Sequence, residues 1–267
     1  MTRLALIAGA GDLPAELAAH LPAPPLVCAV DGFPPAGLAT DLSFRVERLV
    51  PLLRRLVEAG VGEVVFAGAV HRPRLDPAMF DPETAALMPQ LLPALQQGDD
   101  ALLRAVIAVF EDHGLAVRGI GDCAPALLAG TGALTGTPPD PGLEADAARG
   151  AEILAALAPL DLGQGCVVAA GLCLAVESLF GTDAMLAHVA ACRDMREPRD
   201  GGVLVKQAKA GQELRIDLPA IGPATLAAAQ AARLTGICLQ AGRVVILRRD
   251  ETLAAADAAG IALWSVP

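Results

Sequence analysis

Short apolar runs alternate with helically spaced segments along the first half of the chain. Leu4–Ala8 is apolar and ends in Gly9-Ala10-Gly11, the form of a buried strand running into a turn. Pro14–His20 follows with helical spacing and with Asp12 placed as an N-cap. Leu26–Val30 predicts a second buried strand, closed by Asp31-Gly32, and Val50–Ala59 a helix stopped by Gly60. Glu63–Val70 predicts a third strand, ending in the turn Gly68-Ala69-Val70-His71-Arg72-Pro73. Leu91–His113 reads as helix, interrupted at Gly98-Asp99-Asp100.

The stretch GTGALTGTPPDPG (130–142) has neither period and concentrates Gly, Pro and Thr, which marks a connection between domains. Beyond it the pattern predicts a helix over Glu144–Ala158, a strand over Cys166–Ala170 and an apolar segment over Leu174–Ser178. A helix over Asp183–Cys192, a strand over Gly202–Gln207, a helix over Thr225–Leu234 and a strand over Arg243–Leu247 follow. Strands alternating with helices predict an α/β protein of two domains. The expected division is an N-terminal Rossmann-like parallel sheet over 1–130, a linker over 131–142, and a C-terminal α/β hydrolase-type domain of its own topology over 143–267. Parallel sheets bind ligands beyond the carboxyl ends of their strands, so Gly9–Asp12, Asp31 and Gly68–Arg72 would line one rim.

Composition narrows the function classes. The 267 residues are 54% hydrophobic and mean hydropathy is +0.51, but roughly a fifth of the chain is alanine, which drives membrane insertion weakly. Charge-free stretches such as Leu162–Val176 and Cys123–Pro139 are too short, or too interrupted by Gly and Pro, for a spanning helix. A net charge of −10 with only 20 Lys and Arg excludes nucleic acid as a partner and general adsorption to an anionic membrane. The six cysteines have no CxxC spacing and read as small buried hydrophobes in a reducing, cytoplasmic setting. The four histidines lack zinc spacing, and no GxSxG is present.

Three constellations could carry chemistry. Gly9-x-Gly11 with Asp31 imitates a dinucleotide fingerprint but has Pro14 at the third glycine, so it fits a different nucleotide-type ligand or a plain tight turn better than a nicotinamide or flavin site. Gly98-Asp99-Asp100 and Gly181-Thr182-Asp183 echo one another as turns entering helices; capping by Asp99 and Thr182 would account for each singly. The stretch Lys206–Pro219 gathers Lys206, Lys209, Gln212, Arg215 and Asp217 after a strand in an otherwise anionic chain. Lysines suit phosphate oxygens and carboxylates suit Mg²⁺, so Glu177, Asp183 and Asp217 with the lysines would make a metal-plus-phosphate site; a solvated loop is the other reading.

Six segments in order, IAGAGDLP (7–14), FAGAVHRP (66–73), GDDALLRAV (98–106), LDLGQGCVVA (160–169), GTDAML (181–186) and LRIDLPAIGPAT (214–225), carry a resemblance. The chain resembles the UDP-2,3-diacylglucosamine pyrophosphatases of lipid A biosynthesis, in the alphaproteobacterial-type family unrelated to the calcineurin-like enzyme. The resemblance implies a Mg²⁺-dependent hydrolase that splits a lipid-linked nucleotide-sugar into UMP and 2,3-diacylglucosamine 1-phosphate, with attack on the phosphorus nearer the sugar. It implies Asp217 as the key aspartate of the R-x-D-L-P segment, ligating metal and organising water; joined to the residue reading above, the expected metal set is Asp217, Asp183 and Glu177. Gly11, Asp12, Ala69, Val70, His71, Arg72, Asp99, Asp100, Lys206, Lys209 and Gln212 would face the substrate. A homodimer through the C-terminal domain and a cytoplasmic protein in transient contact with the inner membrane are also implied. The residues themselves leave two alternatives: a non-catalytic nucleotide-sugar-binding protein, and an NAD(P)-dependent oxidoreductase built on Gly9, Gly11 and Asp31.

Overall fold

A computed structural model describes residues 3–70 and 75–267, with the side chains of Leu95 and Asp99 outside the description. The described residues form two units: one built from the chain up to Pro125 together with Glu213–Asp217, the other from Ala126–Gln212 and Leu218–Pro267.

The first unit opens with β1 (Arg3–Ala8), α1 (Leu13–His20), β2 (Leu26–Val30), β3 (Leu42–Phe44), α2 (Leu49–Glu58) and β4 (Val61–Ala67). It continues with α3 (Pro82–Gln97), α4 (Asp99–Asp112), β5 (Ala116–Arg118) and the short α5 (Ile120–Cys123). The strands form one all-parallel sheet in the order β3-β2-β1-β4-β5. That is the order of a doubly wound nucleotide-binding sheet, whose strand order reverses between β1 and β4. Every residue of β2 is buried, which is why the sequence shows a continuous apolar run there rather than alternation. Ile7, Cys28, Val64, Leu53, Leu56 and Phe110 form the core, with the Phe66 and Phe110 rings edge to face at 5.1 Å.

The expected helix over Leu91–His113 is two helices that meet at Gly98, whose φ of +118° only glycine adopts readily. The first of them starts earlier than its apolar spacing suggested. Asp81 accepts the N–H groups of Glu83 and Thr84 at 3.0 and 2.9 Å, and Pro82 supplies a preset first turn. Asp12, expected as a cap of α1, makes no such side-chain bond; Pro14 in the first turn starts that helix.

The second unit contains β6 (Gly132–Ala133), α6 (Pro141–Leu157), β7 (Gly165–Ala169), β8 (Leu172–Val176), α7 (Gly181–Cys192), β9 (Val203–Lys206) and β10 (Ala220–Ile221). It ends with α8 (Pro223–Ala231), β11 (Gly236–Gln240), β12 (Val245–Ile246), α9 (Arg249–Ala259) and β13 (Ala262–Val266). A six-stranded mixed sheet runs β6-β13-β11-β9-β7-β8, with β9, β11 and β13 parallel and the rest antiparallel to their neighbours. Val167, Leu204, Ile237 and Leu263 face Met185, Leu186 and Leu226 on one side. The alternate residues Cys166, Val203, Val205, Cys238 and Trp264 face Leu143, Ala147 and Leu154 of α6 on the other. The period of two persists, but both faces are apolar because helices cover both.

The stretch expected as a linker belongs to this second unit. Gly132 and Ala133 pair antiparallel with β13, and Asp140-Pro141 caps and starts α6, Asp140 accepting the Leu143 N–H at 2.9 Å. The strand expected over Arg243–Leu247 shrinks to β12, which pairs in parallel with β10 and is bridged at Val245 to Leu128. Two strands of the main sheet, β11 and β13, and helix α9 between them carried no prediction.

Gly150 lies inside α6, where alanine would ordinarily be the better helix former by about 1 kcal/mol. A Cβ there would meet Val205 Cγ2 at 2.5 Å and Cys166 Sγ at 3.2 Å. Gly150→Ala is therefore expected to destabilise the protein, by about 1–3 kcal/mol, read as a lower urea midpoint at unchanged slope.

Candidate functional site

At the strand-order reversal of the first unit the loops after β1 and β4 close on each other. Gly9 N–H donates to Ala67 O at 2.8 Å, while Ala10 and Ala69 exchange N–H···O bonds of 2.9 Å each. Both glycines are required by this approach, since a Cβ on Gly9 would sit 2.6 Å from Ala69 O and one on Gly68 2.6 Å from Gly9 O. The amides of Gly9, Ala10 and Ala69 thus serve the fold, in the place where a dinucleotide fold leaves its glycine amides facing pyrophosphate. Ala69, expected against substrate through its backbone, has its N–H used in this way. Asp31 at the end of β2 accepts the Ser43 hydroxyl at 2.7 Å. Gly11 and Asp12 are exposed at the start of α1, and Val70 is 44% exposed. His71 and Arg72 lie outside the described residues, as does the side chain of Asp99.

The same unit holds the turn that carries Asp217. Glu213 O accepts the N–H groups of Ile216 at 3.3 Å and Asp217 at 3.2 Å, closing a single turn. Ile216 packs against the core of the first unit. Asp100, in the first turn of α4, accepts the Glu213 N–H on Oδ1 at 2.7 Å and Arg104 Nε on Oδ2 at 2.8 Å. The buried Glu213 carboxylate takes Arg215 Nε at 2.9 Å and Nη2 at 2.8 Å, a two-pronged pair, and also the Arg215 N–H at 3.2 Å. Arg215 Nη1 reaches on to Glu111 at 2.9 Å, and Arg104 Nη1 lies 3.6 Å from Glu213. Hydrogen bonding from Arg215 holds the Glu213 carboxyl below the usual carboxylate range, and Glu213 in turn raises the Arg215 guanidinium. Asp217 is half-buried at the end of this turn.

In the second unit the expected phosphate and metal groups are committed to one another. Lys206, at the end of β9 and 4% exposed, donates to Glu177 Oε2 at 3.1 Å and to the Thr182 hydroxyl. Thr182 donates to the same Glu177 oxygen at 3.1 Å. Thr182 therefore does not cap α7; it completes a buried ammonium–hydroxyl–carboxylate group. Lys209 pairs with Asp161, and Gln212 Oε1 accepts the Lys209 N–H at 2.9 Å, so Gln212 closes the turn between them. Asp183 is exposed in the first turn of α7.

This placement does not fit the expected metal set. Glu177 is neutralised by Lys206 and is a poor ligand for a hard cation. Among the described residues no three His, Cys, Asp or Glu side chains gather in a way that could hold a metal ion. The cysteines are free thiols; burial pushes Cys28, Cys166 and Cys238 up to about 12, which leaves them inert, whereas Cys173 is exposed against expectation. No helix among the described residues is long and apolar enough to cross a membrane.

Arg104, Glu111 and Glu213 carried no role in the sequence pattern, and Arg215 was expected only among the cations of the loop after β9. The Asp100/Arg104 spacing of four on a helix was a readable pair, but its use in holding a turn 113 residues away was not.

Comparison with known proteins covers both units. The LpxI N-terminal domain family matches residues 3–127 and the LpxI C-terminal domain family residues 130–264. The UDP-2,3-diacylglucosamine pyrophosphatase LpxI of Caulobacter vibrioides is 37% identical over 280 residues, spanning 100% of this chain and 98% of the relative.

Removing one partner of the buried pair strands the other. Lys206→Met is expected to cost about 3 kcal/mol in urea unfolding by leaving Glu177 uncompensated, and adding Glu177→Leu to it is expected to recover much of that loss.

Proposed function

The chain belongs to the LpxI family, and we propose that it hydrolyses the diphosphate of UDP-2,3-diacylglucosamine to UMP and 2,3-diacylglucosamine 1-phosphate. The observation that carries this reading is the full-length match to a relative of that named activity, which includes the segment bearing Asp217. In the proposed reaction a water oxygen bonds to the phosphorus nearer the sugar. The bond from that phosphorus to the bridging oxygen breaks, and the bridging oxygen leaves on UMP. Asp217 orients the water and takes up a proton as the new P–O bond forms, a role suited to a carboxylate held on a fixed turn.

Charge on the diphosphate needs compensation, and Lys209, partly exposed, is the protein cation proposed to supply part of it by exchanging its Asp161 partner for phosphate. Mg²⁺ dependence belongs to the proposal with Glu177 withdrawn from the ligand set, because Lys206 and Thr182 hold it. The substrate carries two acyl chains, so the reading includes transient contact with the inner membrane from the cytoplasm. Leu179 and Phe180, 91% and 81% exposed, have the apolar character that contact would use. A homodimer through the second unit belongs to the same reading.

The closed loops at the strand-order reversal speak against the oxidoreductase alternative, since the Gly9 and Ala10 amides are already bonded. A non-catalytic nucleotide-sugar-binding protein is separated by turnover. Purified protein given UDP-2,3-diacylglucosamine and Mg²⁺ is expected to release UMP, to stop on chelation by EDTA, and to lose at least ~100-fold in kcat in Asp217→Ala. Substrate binding without UMP under any divalent cation would leave the binding protein.

A further inference from the structure

The turn carrying Asp217 is held with more precision than its stability requires. Ile216, packed against the core of the first unit, already anchors it. Yet the peptide N–H, the carbonyl and the carboxylate of Glu213 are all bonded as well, and the network reaches Asp100, Arg104 and Glu111 on α4. Glu213 is buried and Arg215 half-exposed; such ion pairs return little net stability, and their better-attested use is to select one geometry. Here the selected geometry belongs to a five-residue turn whose last residue is Asp217.

We infer that Asp100, Glu213 and Arg215 form a clamp that sets the position of the Asp217 carboxylate, and that the three are positioning residues for the hydrolysis. The inference rests on the reading of Asp217 as the carboxylate of the reaction. Asp100 had been expected against substrate. Its Oδ1 receives the Glu213 N–H and its Oδ2 receives Arg104, so it acts on the reaction through the backbone of the turn. Glu213 acts at both ends of the same turn: its carbonyl takes the Asp217 N–H, and its carboxylate is aligned by the flat guanidinium of Arg215. Loss of either acceptor frees the turn to shift by a fraction of an ångström to an ångström. A shift of that size near reacting atoms costs rate while leaving binding of the substrate's remote parts intact.

The test compares steady-state kinetics of Asp100→Ala, Asp100→Asn, Glu213→Gln and Asp217→Ala in the full chain, with UDP-2,3-diacylglucosamine as substrate. Asp100→Ala and Glu213→Gln are expected to lower kcat at least ~10-fold with KM within about threefold, the split that marks lost transition-state positioning. Asp100→Asn keeps a carbonyl acceptor for the Glu213 N–H and is expected to recover most of the Asp100→Ala loss. Near-ultraviolet circular dichroism matching wild type confirms the fold of each variant. If Glu213→Gln does not fold, the two Asp100 variants decide, since that position is half-exposed. Wild-type kcat in both Asp100→Ala and Glu213→Gln, or a loss confined to KM, with Asp217→Ala inactive, overturns the clamp and leaves the reading of Asp217 standing. Full turnover in Asp217→Ala overturns that reading, and the clamp falls with it.

Discussion

Charge is scarce in this chain, and where it is buried it is met by an opposite charge or by backbone hydrogen bonds; the local structure around the candidate groups follows from that constraint. An uncompensated charge in a low-dielectric interior costs several kcal/mol, so each one dictates the position of its neighbours. Lys206 draws Glu177 and Thr182 to the end of β9, which pins the connection from β8 into α7. Glu213 draws Arg215, and Asp100 takes its N–H, which builds the Asp217 turn into the first unit. Arg193, 2% exposed, is satisfied by the carbonyls of Ala232, Pro198 and Gly201. That choice avoids importing a second buried charge and ties the end of α7 to the entry of β9.

The division into units is a consequence rather than a premise. Pattern reading placed the boundary in a Gly/Pro/Thr-rich stretch, where chain statistics put linkers. The actual stretch is short of apolar side chains because its residues work through the backbone: β6 pairs with β13, and Asp140-Pro141 starts α6. Composition cannot separate a loop from an edge strand of two small residues. The same limit explains why Glu213–Asp217 was read as part of the C-terminal half. Its attachment to the first unit depends on one apolar side chain, Ile216, and on polar partners more than a hundred residues away, none of which leaves a periodic signal.

Legibility was high where burial is strong and local. β2 was readable to the residue, because five apolar positions between turn residues admit one strand. The parallel sheet of the first unit followed from strands spaced by helices. β11 and β13 escaped because their runs, GICLQ and ALWSV, sit among alanine-rich helices whose apolar content masks the change of period. For the site, the residue types were readable and their alliances were not. Lys206, Glu177 and Asp100 each looked able to meet an anion or a cation from outside. Each had its partner inside the fold, set by packing across elements that sequence spacing does not relate.

These alliances change what the chemistry can depend on. If the lysine and glutamate of the second unit were free, the site would hold its charge compensation ready-made, and the aspartate would be one group among several. With Lys206 and Glu177 neutralising each other, little net charge is offered by that cluster. The burden then moves to groups whose position, not number, decides their effect. A single carboxylate orienting water gains its advantage from alignment, and alignment is what a turn bonded at its N–H, its carbonyl and its side chain supplies. The two networks are therefore different answers to one constraint: the first neutralises its own charge inside the fold, while the second fixes the turn that carries Asp217.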